Sequence, residues 1–285
     1  MPILLALASS LLWGTADFLG GTLTRKRSPY VVVGWSQVAG LVLILAAAAV
    51  VDRWAVWPDV FLVGAAAGVV GYAGLISFYT ALARGTMGVV APITALGAVV
   101  PVVFGLVDGE KPSAVQGAGV VVALVGVVLA SGPEIRGAKG AGAGPLLLAV
   151  VAAVCFGVAL TLIAVGSRTD ALATLGVMRV TTVAVSVLLL AVVMLRTRRR
   201  PAELAAVTRP EVLPLVAVGG FDVTANVTYG IASTMGLLSI VSVAGSLYPV
   251  ATVLLARFVH HERLMRVQQI GVVLALIGVM LIASG

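Results

Sequence analysis

The chain has 285 residues, 61% of them apolar and 10% charged, against about 45–50% and 25% in soluble domains. Its 33 glycines, 12 prolines and mean hydropathy of +1.17 fit a polytopic α-helical membrane protein and exclude most soluble enzyme classes. The formal charge of +7 would suggest nucleic acid in a soluble protein. Here the basic residues fall in short gaps between apolar runs and aromatics are only 6%, so neither a basic groove nor a stacking platform forms and no nucleic-acid partner is expected.

A hydrocarbon core takes roughly 20 helical residues per span. Ten apolar runs of about that length are bounded by charge, Pro or Gly, at 3 to 22, 30 to 51, 60 to 82, 87 to 107, 113 to 131, 145 to 165, 172 to 195, 212 to 232, 236 to 257 and 266 to 284. The first has no basic leader, carries Asp17 and ends at a charged turn, which reads as a span and not as a signal peptide. The single Cys155 lies inside a run and is expected to pack as a small hydrophobe. The polar stretch around Arg198, Arg199 and Arg200 is expected to touch anionic lipid.

The two halves repeat. Residues 123 to 130, ALVGVVLA, match 275 to 282, ALIGVMLI, at an offset of 152, which also pairs Gly119 with Gly271, Gln116 with Gln268 and Glu110 with Glu262. Further back the offset is 148, pairing Pro101 with Pro249 and Met87-Gly88 with Met235-Gly236. About one helical turn is therefore missing between Pro101 and Glu110. Near the front of each half, Trp13-Gly14 aligns with Phe156-Gly157, Gln37 falls near Arg179, and Tyr79 matches Tyr229. The expected division is a five-span repeat over 1–136, a Gly/Ala-rich linker over 137–144 and a second five-span repeat over 145–285. A unit with an odd number of spans re-enters the membrane from the opposite side, so the repeats are expected to be inverted, a plan used by secondary transporters with the substrate near the midplane.

Charge sets the expected orientation. The odd-numbered connections hold 14 basic residues and the even-numbered ones three, Arg53, Lys111 and Arg168. The positive-inside rule then puts the odd connections in the cytoplasm and both termini outside.

A charge at a span centre costs about 2.5–3.5 kcal/mol on insertion scales, so it needs a partner or a use. Three residues qualify: Asp17, Arg179 and Asp222. Asp222, Asn226, Tyr229 and Ser233 share one helix face, which must look inward. Trp13 and Asp17 lie on a similar stripe of the first span. Two readings stand: a structural Asp222–Arg179 pair with Asp17 snorkelling to the surface, or an Asp222 that binds a proton or a cationic group while Arg179 attracts a carboxylate. Pro101 and Pro249, at matched positions within apolar runs, mark helix interruptions that either set packing angles or flank a binding site lined by Tyr79 and Tyr248. Glycine steps such as Gly119–Gly126 and Gly271–Gly278 suit close helix contact. His260 and His261 are adjacent and do not share a helix face, so no metal site is expected. Neither phosphate loop nor hydrolase motif is present, so no cofactor and no enzymatic activity are expected.

The two five-span halves, Trp13-Gly14, Arg179 in the second span of its half, Pro249 followed thirteen residues later by Glu262, and the glycine-rich closing helix resemble the EamA family of the drug/metabolite transporter superfamily. The closing run GVVLALIGVMLIAS is also similar to the last helix of small multidrug resistance proteins. The resemblance implies a ten-helix secondary transporter, often an exporter of amino acids, other metabolites or toxic compounds, with a cavity between the halves. Two departures bear on it: Gln37 stands where the first half often carries Arg, and the Pro101–Glu110 segment is a turn short. The expected protein is a multi-pass carrier of a bacterial-type inner membrane that moves a small molecule by alternating access against a proton. Its alternatives are an uncoupled facilitator or exchanger, a non-transport membrane subunit and an intramembrane enzyme.

Overall fold

The computed structural model describes residues 1–24, 26–52, 54–84, 90, 93–130, 143–197, 207–260 and 265–285. Among these, every regular element is helical: α1 (Pro2–Thr24), α2 (Pro29–Val51), α3 (Trp57–Arg84), α4 (Val99–Val107), α5 (Ala114–Ala130), α6 (Ala143–Ser167), α7 (Ala171–Thr197), α8 (Arg209–Met235), α9 (Leu238–Gly245), α10 (Tyr248–His260) and α11 (Arg266–Ser284). Seven helices are long and apolar enough to cross a membrane, and three shorter apolar stretches, Ile93–Val107, Ala114–Ala130 and Leu238–Thr252, occupy the fourth, fifth and ninth expected spans. The Met87-Gly88 step, most of the 137–144 linker, Arg198 to Arg200 and the His261-Glu262 pair lie outside the described residues.

Local chemistry ends the helices where charge and turn residues stand. Ser113 and Gln116 form a reciprocal cap at the start of α5, with Ser113 N–H donating to Gln116 Oε1 (2.9 Å) and Gln116 N–H to Ser113 Oγ (3.1 Å). At the matching start of α11, Gln268 accepts from Met265 N–H at 2.9 Å, so half of the cap persists where Met replaces Ser. Glu211 accepts from Thr208 N–H at 2.9 Å and receives Arg27 Nε and Nη2 at 2.6 and 2.9 Å, which ties the α1–α2 turn to the start of α8. These hydrogen bonds hold the Arg27 guanidinium above its ordinary pKa.

The fourth and ninth spans are not continuous helices. A 3₁₀ turn, Leu96–Ala98, precedes α4, and a turn at Ser246-Leu247 separates α9 from α10. Pro101 and Pro249 therefore fall in the first turn of α4 and of α10, where a proline's missing N–H costs nothing. The interruption expected at each proline lies just before it, at matched places in the two repeats.

Small residues face inward and large aliphatics outward. Ala6, Ala67, Ala123, Ala130, Ala152 and Ala173 are fully buried, while Leu11, Val42, Leu62, Leu213 and Ile270 are exposed. This is the arrangement of helices that approach closely in lipid. The helix pairs obey one exchange: α1 lies on α8 as α6 lies on α3, α2 lies on α8 as α7 lies on α3, and α5 pairs with α11. Along α5 and α11, Gly126 abuts Ala275 while Gly278 abuts Ala123, and Gly119 abuts Ile282 while Gly271 abuts Ala130. One number falls as the other rises, so these closing helices run antiparallel. Each contact also recurs with the repeat mates exchanged, the signature of a self-complementary two-fold contact. A Cβ on any of the four glycines would strike its partner's backbone.

Candidate functional site

A cavity of about 90 Å³ opens where the two helix breaks meet the other helices, and both repeats line it. Its first-repeat wall includes Trp13 and Asp17 on α1, Gln37 on α2 and Tyr72 on α3; its second-repeat wall includes Phe156, Arg179, Asp222, Asn226 and Tyr248. Close approach of α1 and α6 to the broken spans shapes it. Gly14 sits against the Tyr248 carbonyl and Ala251, and its repeat mate Gly157 against the Gly97 carbonyl and Val100.

Polar groups at the centre form one connected set. Arg179, with no exposed surface, donates through Nη2 to Asp222 Oδ2 at 2.5 Å and through Nη1 to Gln37 Oε1. Asn226 Nδ2 donates to Asp222 Oδ1 at 3.2 Å and to the Asp222 carbonyl at 2.6 Å. The ion pair compensates two charges that could not stay in the bilayer apart. Gln37 and Arg179, repeat mates in sequence, thus meet each other on α2 and α7. Asp17 lines the same cavity and has no hydrogen bond or ion pair among the described residues.

Six of the eight side chains expected at the site line the cavity: Trp13, Asp17, Arg179, Asp222, Asn226 and Tyr248. The other two stand behind it. Tyr229 is fully buried, shares a hydrogen bond with Ser242 Oγ (2.8 Å) and places its ring 5.6 Å from that of Trp13. Tyr79 is buried with its hydroxyl against Gly20, next to Phe78, whose ring lies 5.8 Å from that of Phe156. Each tyrosine therefore belongs to the support of a wall aromatic and not to the wall. Asp17 likewise faces the interior instead of snorkelling. Tyr248 lies at the helix break and donates through its hydroxyl to Thr94 Oγ1 at 3.1 Å.

Sequence reasoning did not place Tyr72, Phe156, Thr94 or Ser246 in the wall. For Phe156 a signal existed, its alignment with Trp13. A second, larger groove of about 220 Å³ runs between α2 and α7 and shares Tyr72 with the first. Its lining is mostly apolar and has no Asp, Glu, Lys or Arg, whereas Asp17, Arg179 and Asp222 all line the smaller cavity.

At the end of the molecule bearing the α4–α5, α6–α7 and α8–α9 turns, two links cross between repeats. Glu110 accepts from the backbone N–H of Leu238 and of Ser239 (2.9 Å), capping α9, and Arg168 Nη2 donates to Asp108 at 2.6 Å.

Among curated proteins, no relative matches the chain. A solved structure described only as a crystal structure of a protein is similar to it, with a TM-score of 0.76 and 21% identity over 99% of this chain and 96% of the other; that likeness concerns the fold alone. The EamA-like transporter family matches residues 1–132 and again 144–284. With almost the whole length matched by two successive copies of the same family unit, the chain belongs to the EamA-like transporter family, whose members are membrane transporters of small solutes.

Proposed function

We propose that this protein is a secondary active transporter, working as an exporter by alternating access, with the cavity between the repeats as its substrate site. The observation that carries the reading is the juxtaposition at one cavity of two matched helix breaks and a buried Arg179–Asp222 pair beside a second carboxylate, Asp17. Breaks at repeat-matched places let each half of a span move as a gate while the outer packing stays intact. The five-span halves are inverted across a bacterial-type inner membrane, a reading supported by the antiparallel closing helices. Charge bias places the odd-numbered connections in the cytoplasm and the termini outside. On this reading residues 1–136 and 145–285 are the two moving units.

Coupling to a proton follows from the central pair. Protonating Asp222 removes the charge that holds Arg179, so proton uptake and rearrangement of the α7–α8 contact become one event. The test uses proteoliposomes loaded with pyranine under an imposed pH gradient, challenged with a panel of amino acids, nucleosides, sugars and small amines. At least one solute is expected to trigger proton movement in the native protein, with none in Asp222→Asn that still inserts. Unchanged solute-triggered proton movement in that variant would overturn the coupling. Counterflow of the same solute that ignores the gradient would favour an uncoupled exchanger.

A further inference from the structure

We infer that the cavity selects a small organic monocation, an alkylated ammonium, held by the Asp17 carboxylate and the aromatic faces of Trp13, Tyr72, Phe156 and Tyr248; this rests on the cavity being the substrate site. Charge at the cavity favours a cation. Among the described lining residues the ionisable carboxylates and bases are Asp17, Arg179 and Asp222, and Arg179 and Asp222 neutralise each other at 2.5 Å. Both Asp222 oxygens are engaged, Oδ2 by Arg179 and Oδ1 by Asn226. Asp17 is then the one lining carboxylate, among the described residues, without a protein partner, and a carboxylate in such a site carries its charge when a cation compensates it and otherwise takes up a proton.

The wall is aromatic on both sides. Aromatic rings carry negative faces that attract cations, most strongly where water is excluded. Trp13 and Phe156 occupy repeat-matched positions and are each backed by a further ring, Tyr229 behind Trp13 and Phe78 behind Phe156. They are therefore held from both repeats.

Other ligand classes fit the cavity less well. A carboxylate ligand would draw on the charge of Arg179, yet that guanidinium is already held by the Asp222 carboxylate and the Gln37 amide oxygen, so its charge is compensated within the protein. Its Nε, which has no acceptor among the described residues, lies beside Gly40 of α2. An anion would also face the Asp17 carboxylate, with no net positive charge from the Arg179–Asp222 pair to offset it. A sugar would need many polar partners, whereas most of the remaining lining is Gly, Ala, Leu, Ile and Met.

Three isosteric probes separate charge from shape: choline, its neutral analogue 3,3-dimethylbutan-1-ol, and the anion 3,3-dimethylbutanoate. Titrated into the full chain in lipid nanodiscs and followed by calorimetry, choline is expected to bind about tenfold or more tightly than the alcohol, with no binding of the anion. The preference should vanish in Asp17→Asn, persist in Asp17→Glu, and shrink in Trp13→Leu. Because the comparison of probes is made on the native protein, it stands even where a variant fails to fold. Equal binding of choline and the alcohol, tighter binding of the anion, or an unchanged choline affinity in Asp17→Asn overturns the inference. Choline binding with Asp17 dependence but without choline flux in proteoliposomes would support the ligand class and sink the transport reading. Solute-driven flux in a protein that does not distinguish choline from the alcohol would do the reverse.

Discussion

Between α5 and α11 the two repeats are interchangeable, whereas at the cavity they are not. The closing helices meet through Gly126 with Ala275 and Gly278 with Ala123, the same contact made twice. Around the cavity the matched positions have diverged: Gln37 faces Arg179, and Phe156 stands where the first repeat has Trp13. Symmetry here is a property of packing and asymmetry a property of chemistry. Backbone contact between helices depends only on the absence of side chains, so both copies keep it. Two arginines meeting at the centre would repel each other, so the matched positions that face one another there, Gln37 and Arg179, do not stay alike.

The largest expected effect comes from breaking the asymmetric centre. Arg179→Leu leaves Asp222 without its partner and should destabilise the protein by about 3–5 kcal/mol, read as a drop in melting temperature in detergent. Adding Asp222→Leu should recover most of the loss. A single variant that melts like the native protein would show that the pair bears no structural load. Moving the charge across the axis, with Gln37→Arg and Arg179→Gln together, should be less damaging than Arg179→Gln alone, because α8 packs against both α2 and α7.

The symmetric seam is expected to be somewhat less costly to disturb. Gly278→Leu and Gly126→Leu each force a side chain into the opposing backbone and should cost about 1–3 kcal/mol apiece. Gly117→Leu, on the same helix with nothing within 4 Å of its Cβ position, is the control and should melt as the native protein does. Unequal effects at 278 and 126 would show that the seam is not two-fold in solution.

The smallest expected effect is at the cross-repeat cap. Glu110→Gln keeps an acceptor at the N-terminus of α9 but removes the charge, worth about 1 kcal/mol at a helix end. Amide exchange at Leu238 and Ser239 should quicken selectively. No change there, with the variant folded, would remove Glu110 from the account of how α9 is held.

Much of the centre was legible beforehand because charge inside an apolar run is rare and costly. Asp17, Arg179 and Asp222 stood out for that reason, and all three line the cavity. Tyr229 shared the Asp222 face by helical spacing, yet α9 covers that turn and Ser242 takes up its hydroxyl. A helix face gives a direction and leaves the distance to the next helix unstated. Gln37 and Phe156 carried no such mark. A neutral residue in a hydrophobic run looks like any core residue, and only alignment of the repeats hinted at their place.

Helical class, the approximate spans, the repeat and the identity of the intramembrane charges follow from the order of residues, since hydropathy, period and insertion cost are properties of short stretches of chain. Which charge is paired and which is left open to the cavity depends on the approach of α2, α7 and α8, groups more than 40 residues apart in every pairing but one degree of packing away in space. The positions of the two breaks were likewise settled by tertiary contact. A proline permits the start of a new helix but does not require one, and here Gly14 and Gly157 press α1 and α6 against the very turns where α10 and α4 begin.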